Sequence, residues 1–144
     1  MFKVAKFKIF FVGVIFLALP VFILAVSLGQ QSKFFVNPTY DFAQREEISA
    51  TLQRIGSNLY FYIDDDWWRT LDYQKKQEVE EALRFLDNEF YYKIYPTLTS
   101  NFGSEWKPGI DKDFYITVLV HPMKEESGGY FNNGDEYPKA QNSK

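Results

Sequence analysis

The 144-residue chain has no cysteine and a single histidine, His121. The first absence excludes a disulfide framework, a thiolate metal site and lipidation at a cysteine. The second leaves any catalytic zinc site short of the two or three imidazoles it normally takes. A serine triad would have to use His121, but no G-x-S-x-G elbow is present either. At the end of an apolar run and beside Pro122, His121 therefore reads as structural. No catalytic or metal-binding residue can be assigned from the residues alone.

Charge is missing altogether between Ile9 and Leu28. As a helix rising about 1.5 Å per residue, that run would cover roughly 30 Å, the thickness of a bilayer's hydrocarbon core. Lys3, Lys6 and Lys8 precede it, and a basic flank of this kind stays on the cytoplasmic side. The expected partner of residues 9–28 is thus the lipid bilayer, with everything from Gln30 onward outside the cytoplasm. Length favours an uncleaved signal anchor over residues 1–29. Ala25-Val26-Ser27 and Ser27-Leu28-Gly29 each offer a small-x-small cut, after which the remainder would be secreted.

None of the 19 acidic residues lies before Asp41, so the chain beyond the apolar run holds 13 basic against 19 acidic side chains, a net charge of −6. This argues against nucleic acid as a partner. All ten Tyr and three Trp fall in the same part, which is long enough for one domain.

Along that domain, residues 30–40 read as a linker with a turn at Asn37-Pro38. Asp41 with Gln44 suggests the start of a short helix carrying Ile48, Leu52 and Ile55 and ending at Gly56. Leu59 to Ile63 alternates as a strand, closed by Asp64-Asp65-Asp66. Val79, Leu83, Leu86, Phe90 and Ile94 form one stripe of a helix from about Tyr73 to Tyr95, stopped by Pro96. Phe114 to His121 reads as a strand apolar on both faces, central to a sheet covered on each side. The fold class expected is α+β: an N-terminal transmembrane or signal helix, then a partial α/β sandwich-like domain over 41–144, a mixed sheet with packed helices whose second layer the chain does not complete.

Several groups are candidates for function. The Asp64–Asp66 run could hold calcium but lacks the Gly and distal Glu of a calcium loop, so a charged turn before a helix is the better reading. Trp67 and Trp68 either stack on a sugar or peptide or anchor a helix to a core. Gly128, Gly129, Tyr130 and Phe131, followed by Asn133-Gly134, read equally as a hairpin or as a substrate-side rim. Through these residues a peptide or cell-wall polymer is a candidate partner.

The succession Asn101-Phe102-Gly103-Ser104-Glu105-Trp106-Lys107-Pro108-Gly109-Ile110-Asp111-Lys112-Asp113, then Ile116 to Val120, then Gly128-Gly129-Tyr130-Phe131 and Asp135-Glu136-Tyr137, resembles the stretch before the active-site helix in bacterial secreted zinc metallopeptidases of the hyicolysin and immune-inhibitor-A kind. The similarity runs from about Leu59 to Lys139. It implies a sheet beside a catalytic cleft, with the zinc-binding H-E-x-x-H helix later in the chain. Both zinc histidines and the catalytic glutamate are absent here, so no catalytic residue carries over. Zinc is expected only in a continuation of the chain. The alternative is a non-enzymatic, membrane-anchored module that binds cell-wall glycan or a partner protein.

Overall fold

The computed structural model describes residues 26–109 and 112–131. Four strands, β1 (Gln31–Phe35), β2 (Glu47–Ile55), β3 (Leu59–Asp64) and β4 (Ile116–Val120), form one curled sheet in that order. The first three pair antiparallel, while β4 runs parallel to β3 with Leu59 opposite Ile116 and Ile63 opposite Val120. Between β3 and β4 lie α1 (Asp65–Thr70), α2 (Tyr73–Glu89), a π-helical turn (Phe90–Ile94) and α3 (Tyr95–Phe102).

One face of the sheet packs under helix. Leu59, Phe61 and Ile63 are fully buried with Leu83 of α2, and Trp67, Trp68, Val79, Phe90, Val118 and Val120 close around them. Strand alternation sets these residues on one side. The other face is closed by the sheet's own curl: Ala50, Leu52 and Tyr62 are buried with Val26, Phe34, Tyr60 and Leu119 against them. Aromatic pairs reinforce that side, Phe34 meeting Tyr62 edge-on at 5.0 Å and Tyr60 stacking on Tyr115 at 4.4 Å.

The expected fold class is corrected in its domain architecture. In place of a sandwich-like domain there is a single curled four-stranded mixed sheet with one long helix. The second layer is unnecessary because bulky side chains on the sheet itself fill its concave face. No helix among the described residues is long and apolar enough to cross a membrane, and the expected N-terminal helix lies outside the described residues apart from its last few.

Two elements also differ in type. The linker at 30–40 contains β1, and the helix expected after Asp41 is β2. Ile48, Leu52 and Ile55 fit a helical stripe, but Ile48, Ala50 and Leu52 also alternate at a period of two, and strands on both sides settle the choice. The stripe on α2 is shorter than expected, since Leu83 is buried and Leu86 is 41% exposed. Pro96 does not stop the helix. The wide turn over 90–94 resets the ladder so that Pro96 falls in the first turn of α3, where its missing N–H is tolerated.

Candidate functional site: a buried carboxylate, arginine and histidine clamp

Because β3 and β4 are parallel and in register, their carboxyl ends finish side by side at Asp64 and His121. The loop between β1 and β2 brings Asp41 and Arg45 to the same place. Asp41 is fully buried. One of its oxygens, Oδ2, accepts the backbone N–H of Ala43 at 3.0 Å and of Arg45 at 2.9 Å, so the carboxylate shapes its own turn. Arg45 grips the same carboxylate with two nitrogens, Nε at 3.1 Å from Oδ2 and Nη2 at 2.7 Å from Oδ1. Nη2 also reaches Asp64 Oδ2 at 2.7 Å, so one guanidinium bridges two buried carboxylates. The bidentate hydrogen bonding of Arg45 holds the Asp41 carboxyl well below the usual carboxylate range and raises the guanidinium above its ordinary value.

His121 completes the cluster. Its Nδ1 lies 3.1 Å from Asp41 Oδ1 and its ring meets Tyr130 edge-on at 6.2 Å. Tyr130 stacks on Tyr40 at 5.1 Å, and its hydroxyl accepts the Asn37 N–H at 3.3 Å. Met123 bridges to Asp41, the Phe42 N–H donates to the Pro122 carbonyl at 3.2 Å, and the Lys124 N–H donates to the Tyr40 carbonyl at 3.0 Å. Segment 121–131 is thereby fastened along the 36–45 loop.

Asp41 can orient the imidazole by accepting from Nδ1, the arrangement that prepares a histidine to act through its other nitrogen. Here, however, the histidine side chain is only 3% exposed under Tyr130, and the space between the carboxylates is filled by the guanidinium. The cluster is a closed clamp. Among the described residues no group of histidines and carboxylates could hold a metal ion, so those present do not fit zinc.

The residues singled out from sequence serve separate packings. Trp67 and Trp68 turn toward the helix-side core, with Lys76 Nζ 5.3 Å above the Trp68 ring. Tyr130 belongs to the clamp, while Gly128, Gly129 and the 73% exposed Phe131 lie at the surface of its loop. The acidic run is shared out: Asp64 caps α1 through the Asp66 N–H and pairs with Arg45, Asp65 accepts from Thr51 Oγ1 at 2.6 Å and from Gln31, and Asp66 pairs with Arg69. Lys3, Lys6 and Lys8 lie outside the described residues. Arg45 and the partnership of His121 were not foreseen, because only the β3/β4 register unites residues so distant in the chain.

A second feature is a polar cleft of about 580 Å³ between β1, β2 and α1, lined among others by Gln31, Ser49, Thr51, Gln53, Asp65 and Trp68. Comparison of the chain with protein-family models, with curated proteins and with solved structures finds no match in any of the three.

Proposed function

We propose that the chain is the membrane-delivered, extracytoplasmic scaffold of a zinc-metallopeptidase-like protein, with no catalytic residue of its own. The observation that carries this reading is the outer edge of β4. Its Ile-Thr-Val-Leu-Val sequence is that of an interior strand, yet among the described residues nothing pairs with that edge. A further strand added there would widen the sheet beyond β4, and a following helix would cover it. The clamp supports the same reading, because it fixes the path of the segment leaving β4. The sequence resemblance over Leu59 to Lys139 supports the same reading.

Reading the gene past the codon for Lys144 tests it. An H-E-x-x-H motif on a helix within a few tens of residues is expected; a stop with no such motif in any downstream frame overturns the proposal. The polar cleft favours the second reading, a glycan-binding module. Amide, hydroxyl and charged groups, Arg45, Glu47, Asp65, Asp66 and Arg69 among them, stand beside Trp68 there, a mixture of donors and acceptors that suits a polyhydroxylated ligand. Sedimentation of the detergent-solubilised full chain with insoluble cell-wall polymer separates the two readings.

A further inference from the structure

The sheet has two distinct ends, and the chain enters at one of them. The Gly29 N–H donates to the Leu52 carbonyl and the Leu52 N–H to the Gln30 carbonyl, both at 2.9 Å, and Val26 packs against Ala50, Leu52 and Tyr62. The entry is therefore at the end where β2 finishes at Ile55 and where β3 and β4 begin. Asp87 of α2 reaches the same end, its Oδ1 accepting the Ser57 N–H at 2.9 Å. The π turn, α3 and the loop returning to β4 follow from there.

The chemistry of this return is unlike the rest of the domain. Residues 90–109 carry three charged side chains, Lys93, Glu105 and Lys107, among Phe90, Tyr91, Tyr92, Tyr95, Phe102 and Trp106. Lys93 is paired with Glu89 and Lys107 with Glu105. Phe102 and Trp106 are each 84% exposed, and Tyr92, Leu98 and Leu28 are largely exposed as well. Aromatic rings with paired lysines and little net charge suit the boundary between lipid headgroups and acyl chains. The opposite end also exposes rings, Phe35, Phe42, Tyr73 and Phe131. There they stand among Glu46, Asp72, Glu125 and Glu126, which an anionic membrane surface repels.

We propose that the surface formed by residues 90–106 rests on the interface of the lipid bilayer, with the Asp41 clamp and segment 121–131 on the side away from lipid. This rests on the reading of residues 9–28 as membrane-delivered. Since Val26 belongs to the fold, 17 uncharged residues, Ile9 to Ala25, remain for the bilayer, the lower end of the lengths that cross one. No linker separates them from β1, so the entry end of the sheet is held flush with the lipid. A cut after Ser27 or Gly29 would delete the Val26 packing, and the second would also remove Gly29 from the ladder, which favours an uncut chain.

The absence of cysteine makes the test direct. The full chain is reconstituted into phosphatidylcholine/phosphatidylglycerol vesicles as single variants Phe102→Cys, Trp106→Cys and Glu126→Cys, each spin-labelled. Labels at 102 and 106 are expected to relax more with oxygen, which dissolves in lipid, than with a water-soluble nickel chelate, and the label at 126 to show the reverse ratio. Water-like ratios at 102 and 106, with the chain still in the vesicle pellet after a carbonate wash, overturn the docking and leave the membrane reading standing. Release of the chain by the wash overturns both.

Discussion

Asp41 is where a single side chain governs most of the fold's upper end. Its carboxylate is buried, grips Arg45 twice, meets His121 and holds two backbone N–H groups of its own loop. Truncating Arg45 to Ala leaves two buried carboxylates without their cation, and urea unfolding should register a loss of about 3–5 kcal/mol. The pH dependence follows from the lowered proton affinity of Asp41. An unfolded aspartate titrates near 3.9, so the stabilisation from this group is complete above about pH 5 and is lost as acid is added below the unfolded value. Asp41→Asn should lower the midpoint at pH 7 and flatten the acid limb of a melting-temperature profile between about pH 5 and 2; an unchanged acid limb would show that another carboxylate controls it. The sequence singled out Asp41 only as the cap of a helix that does not form; its side chain closes a turn instead. The sequence could not show which chain segments converge on it, because that depends on the register of β3 against β4.

Among elements, α2 and its lock on the β2–β3 turn can be probed separately. Leu83→Ala should destabilise by about 2–5 kcal/mol, as for a buried leucine, whereas Leu86→Ala, on the exposed side, should change stability by about 0.5 kcal/mol or less. Equal effects would mean that the buried face is misjudged. At Gly56 an added Cβ would lie 2.2 Å from Asp87 Oδ1, inside any tolerated contact, so Gly56→Ala must displace the Asp87 carboxylate from its hydrogen bond with the Ser57 N–H. A cost of about 1–3 kcal/mol is expected in thermal unfolding. The periodic elements β3, α2 and β4 were legible as elements from their apolar spacing, but β4, expected at the centre of a sheet covered on each side, lies at its edge with Ile116 and Thr117 exposed. For β2 two periods coincide at Ile48 and Leu52, and for β1 the two adjacent phenylalanines show no alternation at all, so both needed their neighbours to be recognised.

For the whole molecule, the expectation of a membrane rests on the lysine cluster and the uncharged run alone; which end of the domain would face it is not written there, because the entry point depends on Gly29 joining the ladder beside Leu52. A reporter enzyme active only outside the cytoplasm, fused after Lys144, should be active, and Lys3, Lys6 and Lys8 changed together to Glu should reduce that activity. The detergent-solubilised chain, given casein and zinc, should release no more peptide than buffer, because among the described residues the only imidazole is committed to Asp41.

The parallel pairing of β3 with β4 also divides the molecule in time. β1, β2 and β3 follow one another without an intervening helix and can zip together early. β4 must wait for all three helices, since they lie between it and β3, and closing so long a loop slows the last step. Until then Val118 and Val120 are missing from the core that Leu59, Phe61, Ile63 and Leu83 form. The order of emergence thus makes β4 the last strand acquired and, held along one edge only, the first released.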